Sequence, residues 1–394
     1  MNTGDASYIK QLNRRILIEE IIKNRSLSRS DLARITGLNK ATVSAQVSDL
    51  IAEKIVMEKK EGESITRGRK PILLELNANG AFSIGIDIVE DYINIIFMNL
   101  KGEAFHKVRL ALQDAVLEFA VNQLIETITP LIEKFAKAYQ PNGLVGISVG
   151  IHGIVNDKEE IIFTPKQKWS NINIKDRLEE ALQTTVYIDN NANLSVFAEQ
   201  AFDEPIADLF CITLYSGIGL GIINENKIYR GYQGFAGEIG HMVVESKGLS
   251  CSCGNTGCWE LYASERALIE ALEKDDPAAS LQEIIKAMPA GEVSAQIIDS
   301  YLDYLAVGIN NIINIFNPEK IILNGAIING NSPFITEIEH KLKSKINNYR
   351  EIRASRLGEY SCALGGAAFV IKNFFGVNKI DYTGYEYFTS IYDV

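Results

Sequence analysis

Three cysteines and a histidine crowd one short stretch of the chain, and their types suit a metal ion. In GEIGHMVVESKGLSCSCGNTGCWELY, from Gly237 to Tyr262, Cys251, Cys253 and Cys258 fall within eight positions and His241 lies ten residues upstream. Thiolate and imidazole are the ligands that zinc prefers, and four of them in a closed set make a structural site. Gly248, Gly254 and Gly257 allow so short a loop to wrap an ion without strain. A disulfide is the competing reading. The odd total of five cysteines, and an opening MNTGDASYIKQLNRR without an apolar leader, favour a reducing compartment and a metal instead. A structural Zn2+ on His241, Cys251, Cys253 and Cys258 is therefore expected.

Two carboxylates flank that set. Glu238 stands three residues before His241, and Glu260 two after Cys258. On one helical face Glu238 and His241 would be neighbours. A metal that pins the cysteine loop would also fix Glu260 and orient the imidazole, giving hydrogen-bonding groups suited to a polyol.

The spelling EIGHMVV followed by CSCGNTGCWELYAS resembles the E-x-G-H and C-x-C-G-x-x-G-C-x-E motifs of the ROK family (repressors, open reading frames, sugar kinases). The resemblance implies a two-lobed, ribonuclease-H-like α/β body of the actin/hexokinase ATPase type, with sugar in the cleft between lobes. It implies Asn190, Asn191, Glu238, His241 and Glu260 as sugar-binding residues. It also exposes three departures from the family's kinases. Their D-x-G-G-T phosphate turn corresponds to Asp87-Ile88-Val89-Glu90, where a bulky residue and an acid replace glycines. Their N-D-A-N corresponds to Asn190-Asn191-Ala192-Asn193, where the base that would deprotonate the sugar is an amide. Their G-G-G turn corresponds to Leu323-Asn324-Gly325-Ala326. The run Gly217, Gly219, Gly221 survives, but a hairpin uses glycine for its own reasons. No catalytic residue is expected.

A second likeness spans nearly the whole chain. SRSDLARITGLNKATVS, ITRGRKPI, IYRGYQGFAGEIGHM and CSCGNTGCWELYASE resemble the family's repressors of xylose operons. This implies a sugar-responsive repressor with xylose as effector. His152, in VGIHGIVN, departs from it, because those repressors usually carry proline there.

The N-terminal segment supports a DNA-binding head on its own residues. Ile9, Leu12, Ile16 and Ile21 form a helical stripe; Ser28 and Asp31 have capping-box spacing; Leu32, Ala33 and Ile35 offer a short apolar face. Gly37 permits a sharp turn plugged by Leu38, and Asn39 is a good N-cap for a second helix. Val43, Val47 and Leu50 face inward at i, i+4, i+7. Asn39, Lys40, Thr42, Ser44 and Gln46 are left to face DNA, as in recognition helices. IVMEKK and KPILLEL read as the strands of a wing with Arg67, Arg69 and Lys70 at its tip, suited to phosphate or the minor groove. Residues 1–76 carry 14 Lys and Arg against 10 Asp and Glu, net +4, whereas the remainder carries 25 against 40, net −15. Only the head suits a polyanion.

The expected organisation is a winged helix-turn-helix over 1–76 and a sugar-binding body over 77–394. Its lobes are read as about 77–188 plus the C-terminal helix, and 189–365. Asn77–Ala81 reads as a linker, 81–104 as a hairpin turning at Lys101-Gly102, Leu117–Tyr139 as a helix, and VYIDNNANLSVFAEQAF as strand, polar turn and helix. No apolar run reaches membrane-spanning length, so a cytoplasmic protein is expected. As a homodimer, or dimer of dimers, it would bind an inverted-repeat operator, with sugar changing head spacing through the linker. The competing functions are an active sugar kinase with a regulatory head, a repressor that responds to another sugar (glucose or an N-acetylated hexose), and a DNA-binding protein without a ligand.

Overall fold

The computed structural model describes residues 6–59, 71–112, 116–273, 294–331 and 333–385. These form two compact units: 1–190 with 200–205 and 362–394, and 191–199 with 206–361. Among the described residues no helix is long and apolar enough to cross a membrane.

The first unit begins with helices α1 (Ala6–Asn24), α2 (Arg29–Thr36) and α3 (Lys40–Ala52). Ser28 and Asp31 do form the capping box, and hydrogen bonds from Ser28, then Arg34, hold the Asp31 carboxyl below its ordinary range. Gly37 ends α2 in the left-handed region at φ 70°, where a side chain would be strained. Asn39 Oδ1 accepts the Thr42 N–H at 2.8 Å and starts α3. The buried core is Leu17, Ile18, Ile21, Ile22, Leu32, Val43, Val47 and Leu50. Ile21 is therefore inside, but Ile9, Leu12 and Ile35 are exposed. The C-terminal half of α1 packs by a different stripe of the same helix. Strands Val56–Lys59 and Leu73–Leu76 pair antiparallel as the wing requires, and Leu27–Ser28 adds a third strand.

The expected linker is a docked 3-10 turn, Ala78–Gly80. Asn77 Nδ2 donates to the Lys54 carbonyl at 2.8 Å, and Asn142 Nδ2 donates to the carbonyls of Glu53 and Gly80. The segment after the last helix, residues 376–385, fastens the head a second time. Arg15 Nε donates to Gly376 O, Asn378 N–H to Glu19, Arg25 to Thr383 O, and Tyr385 OH to Ile22 O. Tyr382 anchors this strap in the body: it is fully buried, stacked on Phe202, and donates to Leu100 O.

The body part of this unit is a five-stranded sheet. Phe82–Ile88, Tyr92–Asn99 and Ala104–Ala111 form an antiparallel meander, so the expected hairpin has a third strand beyond Gly102. Leu144–Ile151 and Val186–Asn190 add parallel strands on the other side of Phe82–Ile88. Helix Leu117–Ala136 covers one face, burying Ala120, Val121, Leu124 and Ile128 against an aromatic cluster of Phe82, Phe97, Phe105, Phe135 and Tyr139.

The second unit repeats the topology. Leu209–Thr213, Gly219–Asn224 and Lys227–Ile228 form its meander, and Lys320–Asn324 and Glu351–Ala354 run parallel to Leu209–Thr213. Helix Ala295–Phe316 buries Tyr301, Leu302, Leu305 and Ile309 against this sheet. Helix Asn191–Phe202 starts directly after Asn190, with no intervening polar turn.

Candidate functional site

The cysteine loop is held from below by its own aromatic residues. Trp259 is fully buried, and its indole N–H donates to Tyr304 O at 2.7 Å. Tyr262 stacks on Tyr304 and its hydroxyl accepts the Leu249 N–H. At Gly257, φ is +78° and a Cβ would lie 1.6 Å from Glu245 O, so only glycine closes this loop. The four expected ligands come together: one atom from each of His241, Cys251, Cys253 and Cys258 lies within 4.8 Å of the others. Cys253 Sγ to Cys258 Sγ is 3.6 Å, far beyond the roughly 2.05 Å of a disulfide. Cys251 Sγ to His241 Nδ1 is 3.7 Å. A tetrahedral ion with metal–sulfur bonds of about 2.3 Å needs ligand–ligand edges of about 3.8 Å. The group is thus within metal-binding distance.

Glu260 sits against the same group. Its Oε1 is 3.4 Å from His241 Nδ1 and 3.5 Å from Cys251 Sγ. Its Oε2 lies over Gly217 and Gly240, where a Cβ would meet it at 3.1 and 3.4 Å. Nδ1 is thus the ring nitrogen of His241 that faces Cys251 and Glu260. Glu238 caps the 3-10 turn Ile239–His241 rather than lying on an α-helix. It is open to water, yet desolvation by surrounding protein raises its carboxyl; His241 opposes the rise and Glu260 adds to it. Asn191 opens helix Asn191–Phe202 in this unit and is buried. Asn190 belongs to the first unit, where its amide donates to Gly153 O at 2.6 Å.

The stretches compared above with phosphate-holding turns are filled by the chain itself. Val89 N–H donates to Tyr92 O, Gln167 donates to Val89 O at 3.0 Å, and Glu90 pairs with Lys166 at 3.1 Å. Asn324 is fully buried and bonded to Tyr215, Asn329, Ser361 and Gly358. The glycine run has a packing cause: a Cβ at Gly221 would stand 2.0 Å from Ala192 O. Sequence reasoning missed Glu265. It is buried, its Oε1 accepts the Ile327 N–H at 2.7 Å, and it approaches Gly325 so closely that a Cβ there would meet it at 2.6 Å. Burial pushes its carboxyl up to about 8, with the Ile327 hydrogen bond opposing. In sequence it looks like any acid in a helix first turn.

On α3, Lys40 and Ser44 are exposed, Thr42 is half-buried, and Asn39 is exposed with its oxygen used by the cap. Gln46 is a correction. It is 5 % exposed, and its amide donates to Lys10 O at 3.2 Å, tying α3 to α1 instead of facing outward. Arg67, Arg69 and Lys70 lie outside the described residues.

Comparison with known proteins matches the ROK family model over residues 83–373 and a winged helix-turn-helix DNA-binding model over residues 10–57. The chain belongs to the ROK family. Relatives align with it over nearly the whole chain, head and body together. A xylose repressor of Bacillus spizizenii is 35 % identical over 96 % of this chain and 100 % of its own. One of Bacillus subtilis is 35 % identical over 95 % and 98 %. A ROK family transcriptional regulator, a homolog of the E. coli MLC protein, superposes with TM-score 0.78 at 23 % identity over 93 % of this chain and 97 % of its own. A ROK glucokinase from Streptomyces griseus, solved with glucose and AMPPNP, gives TM-score 0.64 at 26 % identity, covering 98 % of its own chain but 73 % of this one.

Proposed function

We propose that the chain is a transcriptional repressor that leaves its operator when a sugar, xylose first, binds the ROK body. The observation that carries the reading is a divided outcome within one fold. Among the described residues the head has its three helices and paired wing strands, and the body has Glu238, His241 and Glu260, whereas the turns that would take phosphate are occupied by Glu90, Lys166 and Glu265. Full-length relatives bearing the name xylose repressor agree with it. Asn191 carries an amide and cannot accept a sugar proton, so the body binds without phosphorylating.

In this reading a structural Zn2+ on His241, Cys251, Cys253 and Cys258 holds the loop that positions Glu260, leaving His241 Nε2 to hydrogen-bond a hydroxyl. Glu238, Glu260 and Asn191 add hydrogen-bonding groups, and Asn190 is a further contact. Lys40, Thr42 and Ser44 meet bases or phosphates, while Arg67, Arg69 and Lys70 supply the wing's charge. Two copies present two α3 helices to an inverted repeat. The docked turn at 78–80 and the strap at 376–385 carry movement of the body to α3. Operator DNA then weakens sugar binding by the factor by which sugar weakens DNA binding.

Selection of bound fragments from a random DNA pool is expected to return an inverted repeat whose retention falls when D-xylose is added. Retention without sequence preference would remove the repressor reading. Consumption of Mg-ATP dependent on a sugar would favour the kinase.

A further inference from the structure

We infer that α3 selects its half-site through the methyl groups of Ala41 and Ala45, which meet the C5 methyl of thymine; this rests on the repressor reading above and concerns how the chain chooses its DNA. The site is the winged helix-turn-helix matched over residues 10–57. In that motif the second helix of the pair enters the major groove, and its outward residues meet base edges. Val43, Val47 and Leu50 are fully buried, which fixes the opposite stripe of α3 as the outward one. Ala41, Ser44, Ala45 and Ser48, at i, i+3, i+4 and i+7, are all exposed.

Most polar side chains of α3 that could read a base are committed elsewhere. Gln46 is buried on Lys10 O, and the Asn39 oxygen caps the helix. Ser48 Oγ donates to Ser44 O at 2.8 Å. The acids at the end of α3 are turned onto α1: Asp49 pairs with Lys10 at 2.8 Å, and Glu53 with Arg14 at 2.9 Å. Thr42 is half-buried beside the cap, and Lys40 is an exposed point charge suited to phosphate. What faces outward along the middle of the helix is the Ser44 hydroxyl and two methyl groups. A serine hydroxyl donates or accepts, so it distinguishes bases poorly. Thymine alone presents a methyl in the major groove, and alanine is a side chain that meets it. Side chains this small also let the helix backbone come close enough for carbon–carbon contact at about 3.5–4 Å.

The test uses the whole chain and the inverted repeat selected from random DNA. Each thymine of the half-site is replaced in turn by deoxyuridine, in both half-sites at once. Deoxyuridine keeps every hydrogen-bonding edge and lacks only the methyl. At one or more thymines the affinity should fall about 3- to 5-fold per methyl lost, so about 10- to 25-fold for the pair. The change is in the DNA, so no variant has to fold. Ala41→Gly and Ala45→Gly then assign the contact: with the responsible methyl gone, thymine and deoxyuridine operators should bind within about twofold of each other. An operator indifferent to deoxyuridine at every position, or a loss that persists unchanged in both glycine variants, would overturn the inference and leave the repressor reading in place. A pool that returned no inverted repeat would remove both. Should a glycine variant lose operator binding altogether, the wild-type scan decides: a loss at thymine supports the contact, and indifference overturns it.

Discussion

Glu265→Gln should change how stability varies with pH, and by an amount that follows from the fold. The carboxyl ionises at about 8 in the folded chain against an ordinary 4.5. Raised in this direction, it contributes stability that is whole below about 4.5 and is lost as pH rises through about 8. Between about pH 5.5 and 7.5 the native state keeps a proton that the unfolded chain has released. At about 1.36 kcal/mol per unit, slightly less near the folded value, wild type should lose about 2.5 kcal/mol relative to the variant. Glutamine keeps an oxygen for the Ile327 N–H and never ionises, so its own curve should lack this slope. Trp169 lies in the first unit and Trp259 in the core of the second, so a Trp169→Phe background leaves fluorescence reporting on the right unit. Urea melts at the two pH values, wild type minus variant, cancel the other titrating groups. Parallel curves would mean that Glu265 is ionised in the fold, and that the turn at Gly325 is not closed by a neutral carboxyl.

Three further outcomes are expected. Purified protein should carry one zinc per chain by metal analysis, and Cys253→Ser should lower both the melting temperature and the sugar response. A strong chelator should do the same to wild type, and full sugar response in metal-free protein would refute the role of the ion. Asn191→Asp should not create sugar-dependent ATP consumption in a coupled assay, because Glu90, Lys166 and Glu265 would still fill the phosphate turns; measurable turnover would restore the kinase. Gln46→Ala should cost about 1 kcal/mol through the lost bond to Lys10 and leave base preference unchanged. Altered preference at constant stability would return Gln46 to the DNA face.

Local chemistry was legible in the sequence where it is short-range. The capping box at Ser28 and Asp31, the N-cap at Asn39 and the metal group at His241 to Cys258 all assemble from residues near in chain order. What escaped depends on distant partners. α1 has two apolar stripes, and periodicity cannot choose Leu17, Ile18 and Ile22 over Ile9 and Leu12 until α2 and α3 are in place. Gln46 is small-helix-face polar by spacing, and only the approach of α1 buries it. Asn77–Ala81 was visible as a boundary, but its hydrogen bonds to Lys54 were not. The strap has no periodicity, and Tyr382 is buried by Leu100 and Phe202, far away in sequence. The candidate sugar residues came from family likeness, because Glu238 and Glu260 by themselves look like surface acids.

The most direct test follows operator DNA by fluorescence anisotropy while D-xylose is added to the full-length protein, with and without Mg-ATP, and assays the sugar afterwards. The account expects release along the same curve in both cases, with the xylose recovered unphosphorylated. Operator that stays bound at every sugar concentration, or xylose returned as a phosphate ester, would contradict it.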